Sequence, residues 1–385
     1  MEVVKHLVTE IGARLSGSAG EEAAARYLAS KFEQIGLEVE LERYRFLGWQ
    51  LLEEPLLEML SPSRETLPCA PNIYSSSTSE QGAEGTLRLI GEVRRLQGNG
   101  YDKYAIVNRD GEELAYVIAT DQPVARNSVH DIRFPVPEVN VDLNTRKKLQ
   151  ELSQQKTPVR MRLKLKTKFD AQAVSHNVIG TLRGATDRER IIIVTSHLDT
   201  QIGSVGANDD ASGIAVLVRM AESLAKAKPA KTVRFCSFGG EEFGMYGSRY
   251  YEKRLKETGE LRNVEFVLCF DEVGQEKQTH RLRATSEWLE LKLRSVLEKP
   301  KAGERLGEGL VEPFPKRWVV RAFGSDHAAF VEEGVPAVSI GGGGHDGYSH
   351  TGSSGDQDTL EKVSSEIIRY KADIGLRILG EIGAL

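Results

Sequence analysis

Histidine and carboxylate side chains follow several predicted strands of this chain at the points where those strands end. His197 and Asp199 come directly after the apolar run 191–195, and both point the same way because side chains alternate along a strand. The carboxyl ends of parallel strands meet at one edge of a sheet, where open α/β folds bind their ligands. The sequence therefore predicts one polar site at that edge. Its five segments carry His197 and Asp199, Asp209 and Asp210, Glu241 and Glu242, Asp271 and Glu272, and His350.

The residue types at this edge favour a catalytic metal site. Imidazole nitrogen and carboxylate oxygen, without thiolate, are ligands of zinc and similar divalent ions in catalytic centres. Two histidines and several carboxylates exceed what one ion needs, and they fit two ions ~3.5–4 Å apart that share one carboxylate. A carboxylate that binds no metal can act as general base. Glu241 and Glu242 are chain neighbours that face different directions, so they can divide these two roles.

Each of these motifs alone has an ordinary structural explanation. An acidic pair before a helix is usually an N-cap, and acidic pairs after strands are usually solvated turns. Only their joint occurrence at strand ends, in glycine-rich surroundings, indicates a site. The sequence contains no His-Glu-x-x-His, P-loop or Gly-x-Ser-x-Gly segment, and its three cysteines are too scattered for a disulfide framework or a thiolate metal site.

The helices and strands that would position the site can be predicted around it. Ser18 and Glu21 form a capping box before an apolar helical face, and Gly36 ends that helix. An amphipathic helix is predicted over residues 211–226, and Asp358 is predicted to cap a long C-terminal helix. Strands that alternate with helices predict an α/β fold with a mixed, mostly parallel sheet sandwiched by helices.

The middle of the chain has a different character. Several prolines and a serine run precede short strand candidates, and residues 159–169 alternate apolar with basic side chains. That basic face is either an anion-binding strip or, as is usual for charged faces, a solvated outer surface. We predict a catalytic domain of residues 1–48 and 172–385, interrupted by an inserted, mostly β domain of residues 49–171.

Taken in chain order, the motifs resemble those of the M28 family of zinc peptidases. The resemblance covers both parts of the predicted catalytic domain. It implies a zinc-exopeptidase-like fold and a metallo-aminopeptidase that hydrolyses N-terminal residues from peptides with two divalent metal ions, Zn²⁺ by preference. The segments that carry it are His197-Leu198-Asp199, residues 206–213 (GANDDASG), residues 238–248 (FGGEEFGMYGS), Phe270-Asp271, residues 324–327 (GSDH) and Ser349-His350-Thr351.

The resemblance also implies a role for each residue of the site. Glu241 would be the general base that activates a metal-bridging water, and Asp199 would hydrogen-bond His197 and fix its orientation. Asp209 would bridge the two ions. The metal ligands would be His197, Asp209, Glu242, Asp271 and His350.

Two features depart from the common family pattern or add to it. Many relatives place a tyrosine oxyanion donor directly before the last histidine ligand, whereas this chain has Ser349 there and Tyr348 one residue earlier. Oxyanion stabilisation would then come from Tyr348 or from a metal ion.

Asp326 is expected at the rim of the site, and His345 in a structural role in the loop. The insert resembles the protease-associated (PA) β-domain of some members, which implies a lid that favours short peptides.

Other functions stay open at this point. A carboxypeptidase or amidohydrolase on the same metal site would need a cationic pocket, for which Arg249 and Arg321 are candidates by position. A glutaminyl-cyclase-like activity with one zinc ion is a further alternative. A catalytically silent, receptor-like module is disfavoured because every expected ligand and the base are present.

Composition limits the partners. The 385 residues include 51 basic and 56 acidic side chains, and the net charge of −5 argues against a nucleic-acid or anionic-membrane surface. The sequence shows neither a signal peptide nor an apolar run of ~20 residues, which predicts a cytoplasmic location, although a secreted mature form would look the same. The expected partner is a peptide substrate, with no nucleic acid and no membrane. A homo-oligomer is compatible with the sequence.

Overall fold

The computed structural model describes residues 1–94, 100–119, 136–275, 278–298, 310–312, 324–344 and 358–385. Helices and strands are interleaved from residue 160 onwards. The helices are α1 (Glu2–Lys5), α2 (Ala19–Ile35), α3 (Leu143–Gln154), α4 (Ala211–Ala227), α5 (Tyr246–Glu257), α6 (Glu287–Glu298), α7 (His327–Glu332) and α8 (Ser365–Glu381). The strands are β1 (Glu38–Ser61), β2 (Glu65–Leu67), β3 (Cys69–Pro71), β4 (Ala83–Arg94), β5 (Gly100–Val107), β6 (Glu113–Ala119), β7 (Glu138–Val141), β8 (Arg160–Leu182), β9 (Asp187–His197), β10 (Lys231–Phe238), β11 (Val264–Asp271), β12 (Gln278–Ala284), β13 (Leu310–Glu312) and β14 (Ala337–Gly344).

Helix α2 begins and ends where the sequence predicts, with one difference at its start. Ser18 Oγ accepts a hydrogen bond from the backbone N of Glu21 at 3.2 Å, and Gly36 takes the left-handed conformation with φ 94°. The reciprocal bond of the predicted capping box is absent. Glu21 instead accepts from the backbone N of Gly17 at 2.8 Å, because its side chain turns into the protein interior.

Four parallel strands form the centre of the part of the sheet that carries the predicted site, in the order β10-β9-β11-β14. Antiparallel neighbours flank them, with β8 and then β1 on one side and β12 on the other. The register places His197 opposite Phe238 and Asp271 opposite Gly341, so these strands end at one edge of the sheet. The predicted mixed α/β fold is confirmed.

Helices cover both faces of this sheet. Ile192 and Val194 of β9 pack in one buried cluster with side chains of α2, α4 and α8, for example Leu217. Ile191 and Ile193 point the other way and pack in a second cluster with α5 and α7. The continuous apolar run of β9 therefore reflects burial on both faces, as expected for a central parallel strand.

Two long antiparallel strands, β1 and β8, connect the parallel strands to the strands formed by the middle of the chain. Strand β1 runs from Glu38 to Ser61 and pairs with β8 over almost its whole length. The C-terminal end of β8 pairs with β10, whereas its N-terminal end pairs with β4. Strands β1 to β8 enclose a separate buried cluster that includes Leu57, Ile106 and Leu163.

Three of the five basic side chains on the face of residues 159–169 form ion pairs with carboxylates. Arg162 Nη2 lies 2.5 Å from Glu84 Oε2, and Arg160 pairs with the same carboxylate group at 2.6 Å. Lys166 pairs with Glu53 on the neighbouring strand. These pairs favour the solvated interpretation over an anion-binding strip.

The C-terminal helix begins later than predicted. Helix α8 starts at Ser365, after a 3₁₀ turn, so the prediction that Asp358 caps it is wrong. None of the helices in the described part of the chain is long and apolar enough to cross a membrane.

Candidate metal centre

The ends of three neighbouring elements bring nitrogen and oxygen donors together. His197 ends β9, Asp271 ends β11, and Asp209 lies just before α4. His197 Nε2 lies 2.8 Å from Asp209 Oδ1 and 3.7 Å from Asp271 Oδ1. Glu242, which follows β10, joins His197 and Asp209 in a group whose donor atoms all lie within 4.8 Å of one another.

A second group of donors shares the same histidine. His197, Asp210 and Asp271 also place one donor atom each within 4.8 Å of the others. The donors of both groups are imidazole nitrogens and carboxylate oxygens, which are ligands that catalytic zinc accepts. A single imidazole nitrogen binds one ion, so the shared histidine joins the two groups in one metal centre.

The two adjacent aspartates have different surroundings. Asp210 is the N-cap of α4 and accepts hydrogen bonds from the backbone N of Gly213 at 2.9 Å and of Glu272 at 3.2 Å. It also accepts from the backbone N of His197 at 3.2 Å. Asp209 instead directs its carboxylate at the imidazole of His197. The ordinary N-cap explanation therefore holds for Asp210, whereas Asp209 remains available to a metal ion.

Asp199 connects the histidine to the Glu241–Glu242 turn. Its backbone carbonyl lies 3.1 Å from His197 Nδ1, and its carboxylate oxygen Oδ1 lies 3.6 Å from the same nitrogen. The carboxylate accepts from the backbone N of Glu241 at 3.1 Å and of Glu242 at 3.2 Å. Ser16 Oγ donates to it at 2.5 Å. Asp199 thus fixes both the imidazole and the turn, mainly through backbone groups.

Burial and mutual repulsion perturb the acids of the site. Burial raises the pKa of Glu241 well above its usual range; the charge of His197 opposes this, and the charges of Glu242 and Asp271 add to it. Burial likewise raises the pKa of Asp210. For His197, burial disfavours the cation, but hydrogen bonds to Asp199, Asp209 and Asp271 outweigh it and raise its pKa. Divalent cations would relieve the repulsion among these carboxylates.

Sequence reasoning missed Asp358 as part of the site. Its carboxylate accepts from the backbone N of Asn208 at 2.6 Å and of Asp209 at 3.0 Å, and burial raises its pKa to about 6. It therefore fixes the backbone that carries a predicted metal ligand. No local pattern marks this role, because Asp358 lies about 150 residues further along the chain.

Arg14 was also missed. This fully buried side chain donates from Nε to the carbonyl of Leu198 at 3.0 Å. Its Nη1 donates to Val205 at 2.8 Å and its Nη2 to Gly206 at 3.0 Å. It therefore ties together the segment between His197 and Asp209. A lone arginine in an N-terminal segment gives no sequence signal of such a role.

Several predicted residues have other outcomes. His350 and Tyr348 lie outside the described residues, as do His345 and Arg321. Asp326 is fully buried, and so does not lie at an exposed rim. Arg249 pairs with Glu332 at 2.7 Å, so its guanidinium already has a carboxylate partner within the protein.

Known proteins share both the sequence and the fold. Aminopeptidase YwaD of Bacillus subtilis (strain 168) is 26 % identical over 403 residues, which cover 96 % of this chain and 81 % of that protein. The structure of BSAP, a zinc aminopeptidase from Bacillus subtilis, matches with a TM-score of 0.72 at 21 % identity, over 99 % of this chain and 94 % of that one. A peptidase M28 precursor from Shewanella amazonensis SB2B gives a TM-score of 0.74 at 18 % identity, over 100 % and 91 %.

The family assignment rests on residues 177–377. The profile of peptidase family M28 matches residues 177–377, which is more than half of the chain and contains all of the predicted metal ligands. The match confirms the predicted family and the predicted class of enzyme, a peptidase. This chain belongs to peptidase family M28.

Proposed function

We propose that this M28 chain is a zinc-dependent aminopeptidase that releases N-terminal residues from peptides. The observation that carries the proposal is the cluster of His197, Asp209, Glu242 and Asp271, with Glu241 next to Glu242 in the chain. The names of relatives, an aminopeptidase and a zinc aminopeptidase from Bacillus subtilis, support it.

Four described residues would hold the metal ions. His197 and Asp271 would bind one ion and Glu242 the other, with Asp209 shared between them; His350 stays a predicted fifth ligand. When bound, the ions supply Lewis acidity that polarises the scissile carbonyl and lowers the pKa of a water molecule. The protein fixes two of these donors in place: Asp358 holds the backbone of Asp209, and Asp199 orients His197.

Glu241 is the proposed general base. Its backbone N is bound by Asp199 at 3.1 Å, which fixes the start of its side chain. A carboxylate oxygen of Glu241 would accept a proton from the attacking water and then deliver it to the nitrogen of the leaving peptide. Burial raises the pKa of Glu241, which makes its carboxylate a stronger proton acceptor. Oxyanion stabilisation by Tyr348 or by a metal ion stays a prediction.

We further propose that residues 49–171 form a PA-like lid on a catalytic domain of residues 1–48 and 172–385. An aromatic cluster joins the two parts: Tyr74 packs on Phe243, the residue after Glu242, with ring centroids 5.8 Å apart. Tyr74 Oη also lies 3.2 Å from Tyr246 Oη at the start of α5. A lid anchored here would limit access to the site. Tyr74→Ala is expected to cleave longer peptides more readily, relative to short ones, than the wild type does.

The activity is tested with matched substrates. One peptide is offered with a free N-terminus, with an acetylated N-terminus and with an N-terminal glutamine, together with a panel of aminoacyl-anilides. An aminopeptidase cleaves the free forms and loses this activity when a chelator removes the metal. Activity on the acetylated peptide alone would indicate a carboxypeptidase or amidohydrolase, and release of ammonia without cleavage would indicate a cyclase. Either result would refute the proposal. A cytoplasmic location stays a prediction that cell fractionation can test.

A further inference from the structure

A chain of buried polar side chains links the start of α2 to the turn that precedes Glu241. Glu21, Ser175 and Tyr44 are all buried. Glu21 Oε1 lies 2.6 Å from Ser175 Oγ, which lies 2.9 Å from Tyr44 Oη. Tyr44 Oη in turn lies 2.7 Å from the carbonyl oxygen of Gly239. This series of hydrogen bonds therefore ends on the backbone of Gly239, two residues before Glu241.

The number of hydrogens available to these three contacts identifies the protonation state of Glu21. Each of the three oxygen–oxygen contacts needs one hydrogen. The hydroxyls of Ser175 and Tyr44 supply one each, and the carbonyl of Gly239 can only accept. With Glu21 ionised, one contact would bring two oxygens together with no hydrogen between them, which is costly in a buried site. A proton on Glu21 supplies the third hydrogen and aligns all three bonds from Glu21 to Gly239.

We propose that Glu21 is held as a neutral carboxylic acid whose proton positions the Gly239–Glu242 turn, and with it the side chain of Glu241. Glu21 is thus a positioning residue that acts through Ser175 and Tyr44. The kinetic consequence of this inference rests on the proposed function, whereas the protonation state does not.

The surroundings of Glu21 agree with a neutral acid. Burial raises its pKa from an ordinary value of 4.5 to about 7; the nearby His176 opposes this, and the charge of Asp199 adds to it. The titratable groups that face Glu21 are Tyr44 on β1, His176 on β8 and Asp199 after β9. His176 Nδ1 lies 4.0 Å from Glu21 Oε2, which is too far for a hydrogen bond. Among the described residues, no lysine or arginine forms an ion pair with Glu21.

The turn lies directly against the acid and is held at both ends. A Cβ atom on Gly239 would lie 2.3 Å from Glu21 Oε1 and 2.4 Å from Ser175 Oγ, so only glycine permits this close approach. At the other end, Asp199 accepts from the backbone N of Glu241. Loss of the Glu21 proton therefore loosens one of several attachments of the turn; Asn177 Oδ1 also accepts from the backbone N of Gly239, and the backbone N of Gly247 donates to the carbonyl of Gly239.

The test compares Glu21→Gln with the wild type, because the amide N–H of glutamine can donate to Ser175 at every pH. Urea unfolding of the full-length, metal-free proteins is measured across pH. A raised carboxyl pKa gives stability that is complete below about pH 4.5 and is lost as pH rises through about 7. Relative to Glu21→Gln, the unfolding constant of the wild type should rise by up to about tenfold per pH unit in this window and then level off. Glu22→Gln is the control, because this exposed carboxylate pairs with Arg26, and it should follow the wild type.

The kinetic arm uses the metal-loaded proteins and a free-N-terminus peptide. As pH rises through 7, kcat of the wild type should fall about five- to tenfold relative to that of Glu21→Gln, with KM unchanged. Tyr44→Phe should lower kcat at every pH, because it cannot donate to Gly239.

Three results would overturn the inference. Glu21→Gln could show the pH dependence of the wild type, or it could lose stability at every pH as strongly as Glu21→Ala. Alternatively, His176→Gln rather than Glu21→Gln could remove the pH dependence, which would place the proton on His176. If no peptide is cleaved at all, the proposed function fails, and the unfolding measurements still decide the protonation state.

Discussion

Asp358 should stabilise both the folded chain and its affinity for metal. Its two carboxylate oxygens bind the backbone N–H groups of Asn208 and Asp209, at 2.6 Å and 3.0 Å, in a buried site. A hydrogen bond to a charged group contributes about 1.5–3 kcal/mol, so Asp358→Ala should lower the free energy of unfolding by about 3–6 kcal/mol. Asp358→Asn should cost less than alanine, because its single oxygen still accepts from one of the two N–H groups.

The same change should weaken metal binding. Asp209 is a predicted shared ligand, and loss of a group that orients a ligand typically lowers metal affinity about 10–100-fold. Urea unfolding of the metal-free variants measures the first effect, and competition with a chelator of known zinc affinity measures the second. Glu366→Ala, which removes an exposed carboxylate of α8, is the matched control and should change stability by less than about 0.5 kcal/mol.

Wild-type zinc affinity in Asp358→Ala, together with wild-type stability, would refute the reasoning. That result would mean that the two N–H groups find other partners at no cost, and that the backbone before α4 keeps its shape without the acid.

Two further predictions concern buried basic side chains. Arg14→Lys should lower the free energy of unfolding by about 2–4 kcal/mol, because an ammonium group cannot replace the planar guanidinium that donates to the carbonyls of Leu198, Val205 and Gly206. Urea unfolding measures this change, and an unchanged unfolding midpoint would contradict the prediction. Lys371 is fully buried with no hydrogen-bond partner among the described residues, and burial lowers its pKa to about 7. Between about pH 7 and about pH 10, Lys371 is protonated in the unfolded chain but not in the folded one, so the free energy of unfolding should rise by up to about 1.4 kcal/mol per pH unit. Lys371→Met should remove this slope. An equal slope in the wild type and in Lys371→Met would contradict the prediction.

Sequence patterns predicted the helices and strands well where residues adjacent in the sequence determine the structure. The ends of α2 follow from Ser18 and Gly36, and the start of α4 follows from the acidic pair before residue 211. Patterns failed where a partner distant in sequence decides. Glu21 turns away from its own cap because Ser175, on a strand far along the chain, offers a buried partner.

Sequence patterns likewise predicted some residues of the site and missed others. Donors at strand ends could be predicted, because parallel strands deliver their carboxyl ends to one edge, and the structure brings His197, Asp209, Glu242 and Asp271 together there. The residues that hold these donors could not be predicted. Arg14 and Asp358 act on backbone groups, and such contacts leave no spacing in the sequence. The roles of His350 and Tyr348 stay predictions.

Metal content and turnover of two neighbouring variants test the central claim most directly, namely that Glu241 moves protons while Glu242 binds metal. Glu241→Gln should keep about two metal ions per chain and lose about 10²–10⁴-fold in kcat, because only the proton acceptor is removed. Glu242→Gln should lose metal, as judged by elemental analysis of the purified protein. Loss of metal from Glu241→Gln with retention in Glu242→Gln would contradict the claim, and so would wild-type turnover by Glu241→Gln.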